Sequence, residues 1–180
     1  MHDRDHRLSL LGPVAAVLRH TRIPHALIGA AAMAAHGVAR STVDQDLLVL
    51  DPRCLEPALW ADLRASGVRI EIRRGDAEDP LAGVVRFEAE GELPVDLVVG
   101  KSSWQIPILE GTEQRAGEIP VVTAAHLILL KLYAGGPQDA WDIQQLLATA
   151  ERPRLVAEVE RELGRLPAEP RALWQRILVG

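Results

Sequence analysis

The sequence is short of the residues that several functions require. Its 180 residues include one cysteine, Cys54. A lone cysteine excludes an internal disulfide and a cysteine-built zinc cluster, and a reducing compartment is the plain expectation. Aromatic residues are 3% of a chain that is 48% hydrophobic, so the core must rest on Leu, Val, Ile and Ala. Lysine is nearly missing: Lys101 and Lys131 stand against 18 arginines. The net charge is −5. That argues against a general grip on nucleic acid, which needs many phosphate-neutralising cations, but leaves room for a local basic pocket. No apolar run is long enough to span a membrane. Charged "MHDRDHR" precedes apolar "LSLLGPVAAVL", an order that a signal peptide shares. Asp3, Asp5 and Gly12-Pro13 speak against one, and Leu8, Leu11, Val14, Ala15 and Leu18 fall on one helical face. The expectation is a cytoplasmic chain that opens on an amphipathic helix. None of the six histidines makes a convincing metal-ligand pair within a helix, and no Gly-x-Ser-x-Gly or Walker-type loop occurs.

What is there is a strand-rich front half and a helical back half. "IPHALIG" (23–29) reads as a short buried strand. The Ala-rich stretch 30–37 reads as a helix closed by Gly37. "VDQDLLVL" is the next strand, and Asp51-Pro52 starts a helix expected to run to Ser66 with Gly67 as its stop. "VRIEIR" (68–73) alternates as a half-buried strand does. Strands 84–90 and 93–100 flank Gly91-Glu92 as a hairpin. Residues 101–118 are ambiguous, "WQIPILEGTEQRA" being compatible with one broken helix, and "EIPVVT" (118–123) reads as a strand. Helices are expected at 124–134, 138–149, 153–165 and 168–178. Trp60, Trp104, Trp141 and Trp174, one per element, are expected to anchor the core. The division is a core over 1–123 and a helical part over 124–180, which can equally pack onto the sheet as one domain.

Two aspartates stand out in "STVDQDLLVL". Residues i and i+2 on a strand share a face, so Asp44 and Asp46 project together, about 7 Å apart at the Cα atoms. The apolar run that follows fits a central strand. A hard divalent cation would relieve the repulsion between the two acids. Asp96 is a lone carboxylate in apolar "LPVDLVV". If its strand pairs beside 43–50, three carboxylates can converge on one or two Mg²⁺ ions, the arrangement that clamps attacking and leaving oxygens in phosphoryl or nucleotidyl transfer. The plainer alternative is a turn end, a solvated acid and a hairpin border. Gly29, between strand and helix, would present backbone N–H groups to a phosphate.

With those residues in place, "LIGAAAMAAHGVARSTVDQDLLV" resembles the signature of the DNA polymerase β-type nucleotidyltransferase superfamily, closest to its small AbiEii/AbiGii-toxin-like branch. The matching positions are Gly29, Gly37, Arg40, Thr42, Asp44 and Asp46, with Asp96 as the third carboxylate. The likeness continues in "IPVVTAAHLILLKLYAGGPQDAWDIQQLL", where Lys131, Asp139, Asp142 and Ile143 match a lysine helix followed by Asp-x-x-Asp-Ile. It covers about residues 23 to 147. Ala30 replaces a second Gly or a Ser, and Gly136 sits where relatives often have an arginine.

The resemblance implies a minimal α/β (α+β) nucleotidyltransferase fold, a mixed β-sheet flanked by helices with a C-terminal helical extension. It implies Mg²⁺-dependent transfer of a nucleoside monophosphate from an NTP to an acceptor hydroxyl on a small molecule, a tRNA end or a protein. Asp44 and Asp46 would hold two metal ions and the triphosphate. Asp96 would hold the catalytic metal and help deprotonate the acceptor. Gly29, Ala30, Arg40, Thr42 and Lys131 would bind nucleotide phosphates, with Asp139 and Asp142 in support. Two other readings stand beside it: a nucleotide-binding module without turnover, and the toxin of a toxin–antitoxin pair that binds an antitoxin. The residues alone leave Lys131 open, since its ammonium in an apolar helix needs either a carboxylate or a phosphate. Arg40 can touch phosphate or brace Asp46 or a loop. Lys101 reads as a loop lysine that could reach an acceptor.

Overall fold

A computed structural model describes residues 9–39, 45–113, 119–149 and 151–179. Helix α1 (Leu11–His20) buries Val14, Ala15 and Leu18, the stripe set by their spacing. Strand β1 (His25–Ile28) runs directly into α2 (Gly29–Ala35), with no loop between them. Strand β2 (Gln45–Val49) follows. After β2 the expected helix over 52–66 is absent. Two 3₁₀ turns, Pro52–Leu55 and Pro57–Trp60, precede a short helix α3 (Ala61–Ala65). The cause is Pro57: its ring drives Glu56 out of the helical region, to φ −90°, ψ 122°.

Strands β3 (Arg69–Arg74), β4 (Leu81–Glu88) and β5 (Val95–Gly100) complete a five-stranded mixed sheet of order β1-β2-β5-β4-β3. Of these strands only β2 and β5 run parallel, and β4 and β5 form the expected hairpin. Within 101–113 there is a 3₁₀ turn at Ser103–Gln105 and a short helix α4 (Ile106–Glu110). The strand expected at 118–123 reduces to bridges at Val121, which pairs with Leu27 and with Glu113. Helices α5 (Ala124–Ala134), α6 (Pro137–Leu147), α7 (Arg152–Leu163) and α8 (Ala168–Val179) follow. Thr123 caps α5 by accepting from the His126 N–H, and Gly135 ends it at φ 70°.

Alternation along the strands divides the core between the two sheet faces. On one face Ala26 and Leu48 join α2, α5 and the last three helices, around Met33, Ile128, Ile143 and Trp174. On the other, Leu47, Leu97 and Phe87 meet α1 and the 52–65 segment, with the Trp60 ring edge-on to Phe87 at 4.8 Å. Trp60, Trp104 and Trp174 are buried, whereas Trp141 on α6 is 46% exposed and is not one of the buried core residues. Lys101 is tied down by the Asp76 and Ala77 carbonyls at 3.0 and 3.3 Å.

The two sheet margins differ. Segment 120–122 lies along β1, where the Leu27 N–H donates to the Pro120 carbonyl at 2.7 Å and the Val122 N–H to the Leu27 carbonyl at 3.2 Å. Among the described residues strand β3 pairs with β4 alone, and it exposes Arg69, Glu71, Arg73 and Arg74. No helix among the described residues is long and apolar enough to cross a membrane.

Candidate active site

The strand carrying Asp96 does lie beside the strand carrying Asp46. In the parallel pairing of β2 with β5, Asp46 stands opposite Asp96, so the two carboxylates rise from one face on neighbouring strands. At that spacing, about 5 Å, two carboxylates repel by on the order of 3 kcal/mol at an effective dielectric constant of about 20. Asp44, Arg40 and Thr42 lie outside the described residues.

Gly29 explains part of how Asp46 is accommodated. It opens α2 at φ 61°, a conformation that strains any residue with a Cβ. A Cβ there would also sit 2.0 Å from the Asp46 Oδ2. The space a side chain would fill at Gly29 is therefore taken by the Asp46 carboxylate. Ala30 is the next residue of α2 and is partly buried.

Asp96 has a neighbour that the motifs do not include. In the β4–β5 hairpin Arg86 stands opposite Asp96. Its Nη1 donates to Asp96 Oδ2 at 2.8 Å, and its Nε donates to Glu88 Oε1 at 2.9 Å. Glu88 also takes an ion pair from Arg69 on β3. A row of side chains thus crosses the sheet in register: Ile28, Asp46, Asp96, Arg86 and Glu71. The signal was in the sequence, because a hairpin centred on Gly91 pairs residue 86 with residue 96.

Lys131, Asp139 and Asp142 form a second cluster, on α5 and α6. Lys131 is 8% exposed. Its Nζ donates to Asp142 Oδ2 at 2.5 Å and to Asp139 Oδ1 at 3.2 Å, the carboxylate partners that a buried ammonium needs. Asp142, 2% exposed, also accepts from Gln138 Nε2 at 3.3 Å. Asp139 caps α6 as well, its Oδ2 accepting from the Gly136 N–H at 3.1 Å.

A cleft of about 560 Å³ lies elsewhere, lined by His36, Glu113, Thr123, His126, Glu158 and Glu162 among others, and by none of the expected site residues that are among the described ones. Burial there holds His126 below the ordinary histidine value, with Glu162 and Glu158 pulling the other way.

The donor chemistry of the first cluster fits a hard divalent ion. Asp46 and Asp96 offer only oxygen, from adjacent rigid strands, and Mg²⁺ is commonly held by one or two carboxylates with water and substrate phosphate completing its shell. Among the described residues no group of three His, Cys, Asp or Glu side chains could hold a metal. The expected three-carboxylate site includes Asp44, which lies outside the described residues.

No protein-family model matches the sequence, and no curated protein matches it. Among solved structures it is similar to the antibiotic-resistance factor ANT(2'')-Ia. The solution structure of that factor shares 14% identity at a TM-score of 0.55, over 87% of this chain and 90% of that one. Its crystal structure in complex with adenylyl-2''-tobramycin shares 15% identity at a TM-score of 0.56, over 87% of this chain and 96% of that one. At such identity the likeness shows the fold, a mixed sheet flanked by helices.

Proposed function

We propose that this chain is a nucleotidyltransferase, moving a nucleoside monophosphate from an NTP to an acceptor hydroxyl with Mg²⁺. The observation that carries the reading is the register of β2 with β5, which sets Asp46 directly beside Asp96 next to the glycine that opens α2. Two like charges held side by side on central strands call for positive charge nearby: Arg86 already supplies one to Asp96, and a divalent cation between the two aspartates would serve both. Bound Mg²⁺ would neutralise the triphosphate and stabilise charge on the leaving pyrophosphate. Asp44 and Asp46 would hold the metals and through them the triphosphate. Asp96 would hold the catalytic metal and help take the proton from the acceptor hydroxyl as the hydroxyl oxygen bonds the α-phosphorus and the bond to pyrophosphate breaks. The Gly29 and Ala30 amides, with Arg40 and Thr42, would line the phosphates. Lys131 would contribute a phosphate-binding charge, oriented by Asp139 and Asp142.

Within the superfamily the motif order supports the small AbiEii/AbiGii-toxin-like branch. For the acceptor, a small hydroxylated molecule comes first: the net charge of −5 disfavours long nucleic acid, and the similar crystal structure holds adenylyl-2''-tobramycin. The test is incubation with α-labelled NTPs, Mg²⁺ and a panel of aminoglycosides, tRNA and protein acceptors, alongside Asp46→Asn and Asp44→Ala. Label transfer by the parent and none by either variant is expected. Transfer that survives both substitutions refutes the assignment.

Two observations favour a second reading, a nucleotide-binding module without turnover. Lys131 is already neutralised by two carboxylates, and Ala30 lacks a hydroxyl. That module would bind NTP in calorimetry and release no pyrophosphate.

A further inference from the structure

We infer that Arg86 is a positioning residue for the metal site: it holds one oxygen of Asp96 so that the other meets the cation. The inference rests on the nucleotidyltransferase reading and adds to it a residue outside both motifs.

The fork of Arg86 is committed in two directions. Nη1 binds Asp96 Oδ2 and Nε binds Glu88 Oε1, while Arg69 holds the far oxygen of Glu88. Planar guanidinium held at two points has little freedom, and it fixes the carboxylate it touches. Arg86 is 30% and Asp96 21% exposed at the side chain, so water screens this pair less than it does most surface pairs. The second oxygen of Asp96, Oδ1, is shielded from solvent. Strand pairing puts Arg86 on one side of Asp96 and Asp46 on the other. A cation between the two aspartates would therefore meet Asp96 from the side away from Arg86. Hydrogen-bonded partners of metal-binding carboxylates set ligand orientation, and their loss commonly weakens metal binding by about 10–100-fold.

Positive charge near a cation has an opposing effect, since it repels the ion. The two effects differ in sign, which makes the inference decidable. Mn²⁺ binding to the full chain, followed by the loss of its free-ion electron paramagnetic resonance signal, would be compared for the parent, Arg86→Gln, Arg86→Lys, Glu88→Gln and Asp46→Asn. Far-ultraviolet circular dichroism and thermal midpoints would be recorded alongside. Arg86→Gln is expected to weaken Mn²⁺ binding about 10-fold or more without a matching loss of thermal stability. Arg86→Lys, which keeps the charge but not the fork, is expected to recover part of it. Glu88→Gln, which loosens Arg86 without touching Asp96, is expected to weaken binding less. Unchanged or tighter binding in folded Arg86→Gln overturns the inference and leaves the transferase reading standing. If Arg86→Gln fails to fold, the same outcome in Glu88→Gln decides. A parent whose Mn²⁺ binding is missing, or survives Asp46→Asn, overturns the site itself and this inference with it.

Discussion

Replacing Gly29 with alanine isolates the contact between the helix start and the Asp46 carboxylate. Two effects add at this position. Alanine at φ 61° is strained by roughly 1–2 kcal/mol, partly offset by about 0.4–1 kcal/mol from a less flexible unfolded chain. The new Cβ would then lie 2.0 Å from Asp46 Oδ2, so the carboxylate must leave its rotamer or the strand end must move. Such forced repacking costs about 1–3 kcal/mol. Gly37 is the natural control: its φ is 81°, and an added Cβ meets nothing within 4 Å among the described residues. Urea unfolding of both variants should show Gly29→Ala destabilised by about 1–3 kcal/mol more than Gly37→Ala. In Gly29→Ala/Asp46→Ala the excess should largely vanish, a coupling read from a double-mutant cycle. Label transfer and Mn²⁺ binding should fall in Gly29→Ala and not in Gly37→Ala. Equal destabilisation of the two glycine variants would refute the reasoning, because backbone strain alone would then account for both.

Three further outcomes follow from groups already described. Lys131→Met leaves Asp142, 2% exposed, without its ammonium, and should lower unfolding stability by about 3 kcal/mol; adding Asp142→Asn should restore part of it, in the same urea assay. His25 and His126 are both held below the ordinary value of 6.5, chiefly by burial. The fold favours their neutral forms, so this stability is present above about pH 6.5 and is lost as pH falls through the depressed values. Urea midpoints measured downward from pH 7.5 should drop less steeply in His25→Gln/His126→Gln than in the parent, and parallel slopes would exclude this source. The Cys54 thiol is buried, with its pKa pushed up to about 12, mainly by burial. It should resist a thiol reagent at neutral pH and react quickly in denaturant; rapid labelling of the folded chain would contradict its placement.

Much of the fold was legible because local signals agreed. The four C-terminal helices combine apolar period with punctuation such as Thr123, Gly135 and Pro137, and the structure begins and ends them within a residue or two of the expected bounds. The helix expected at 52–66 failed because Pro57 sits in mid-pattern, and its effect on Glu56 outweighs the apolar spacing of Leu55, Leu59 and Leu63. At 118–123 the pairing is limited to bridges from Val121 to Leu27 and to Glu113, a reach that the local pattern of "EIPVVT" does not report. For the candidate site, the nearness of Asp46 and Asp96 could be stated only as a condition, since strand order is not local information. Arg86 was overlooked for the opposite reason: the hairpin was recognised, but its register was not followed across to residue 96.

The exposed margin of the sheet also bears on how copies of this chain meet one another. Among the described residues, strand β3 has no partner along its outer side, the geometry on which a second sheet could grow. That margin is dense in charge, with Arg69, Glu71, Arg73 and Arg74 exposed along it and the arginines paired to Glu88, Glu71 and Glu56, and charged side chains along an edge strand disfavour the addition of a further strand. At the other end, segment 120–122 already fills the place of an incoming strand. Among the described residues, fibrous stacking is thus opposed at one margin by charge and at the other by the chain's own backbone.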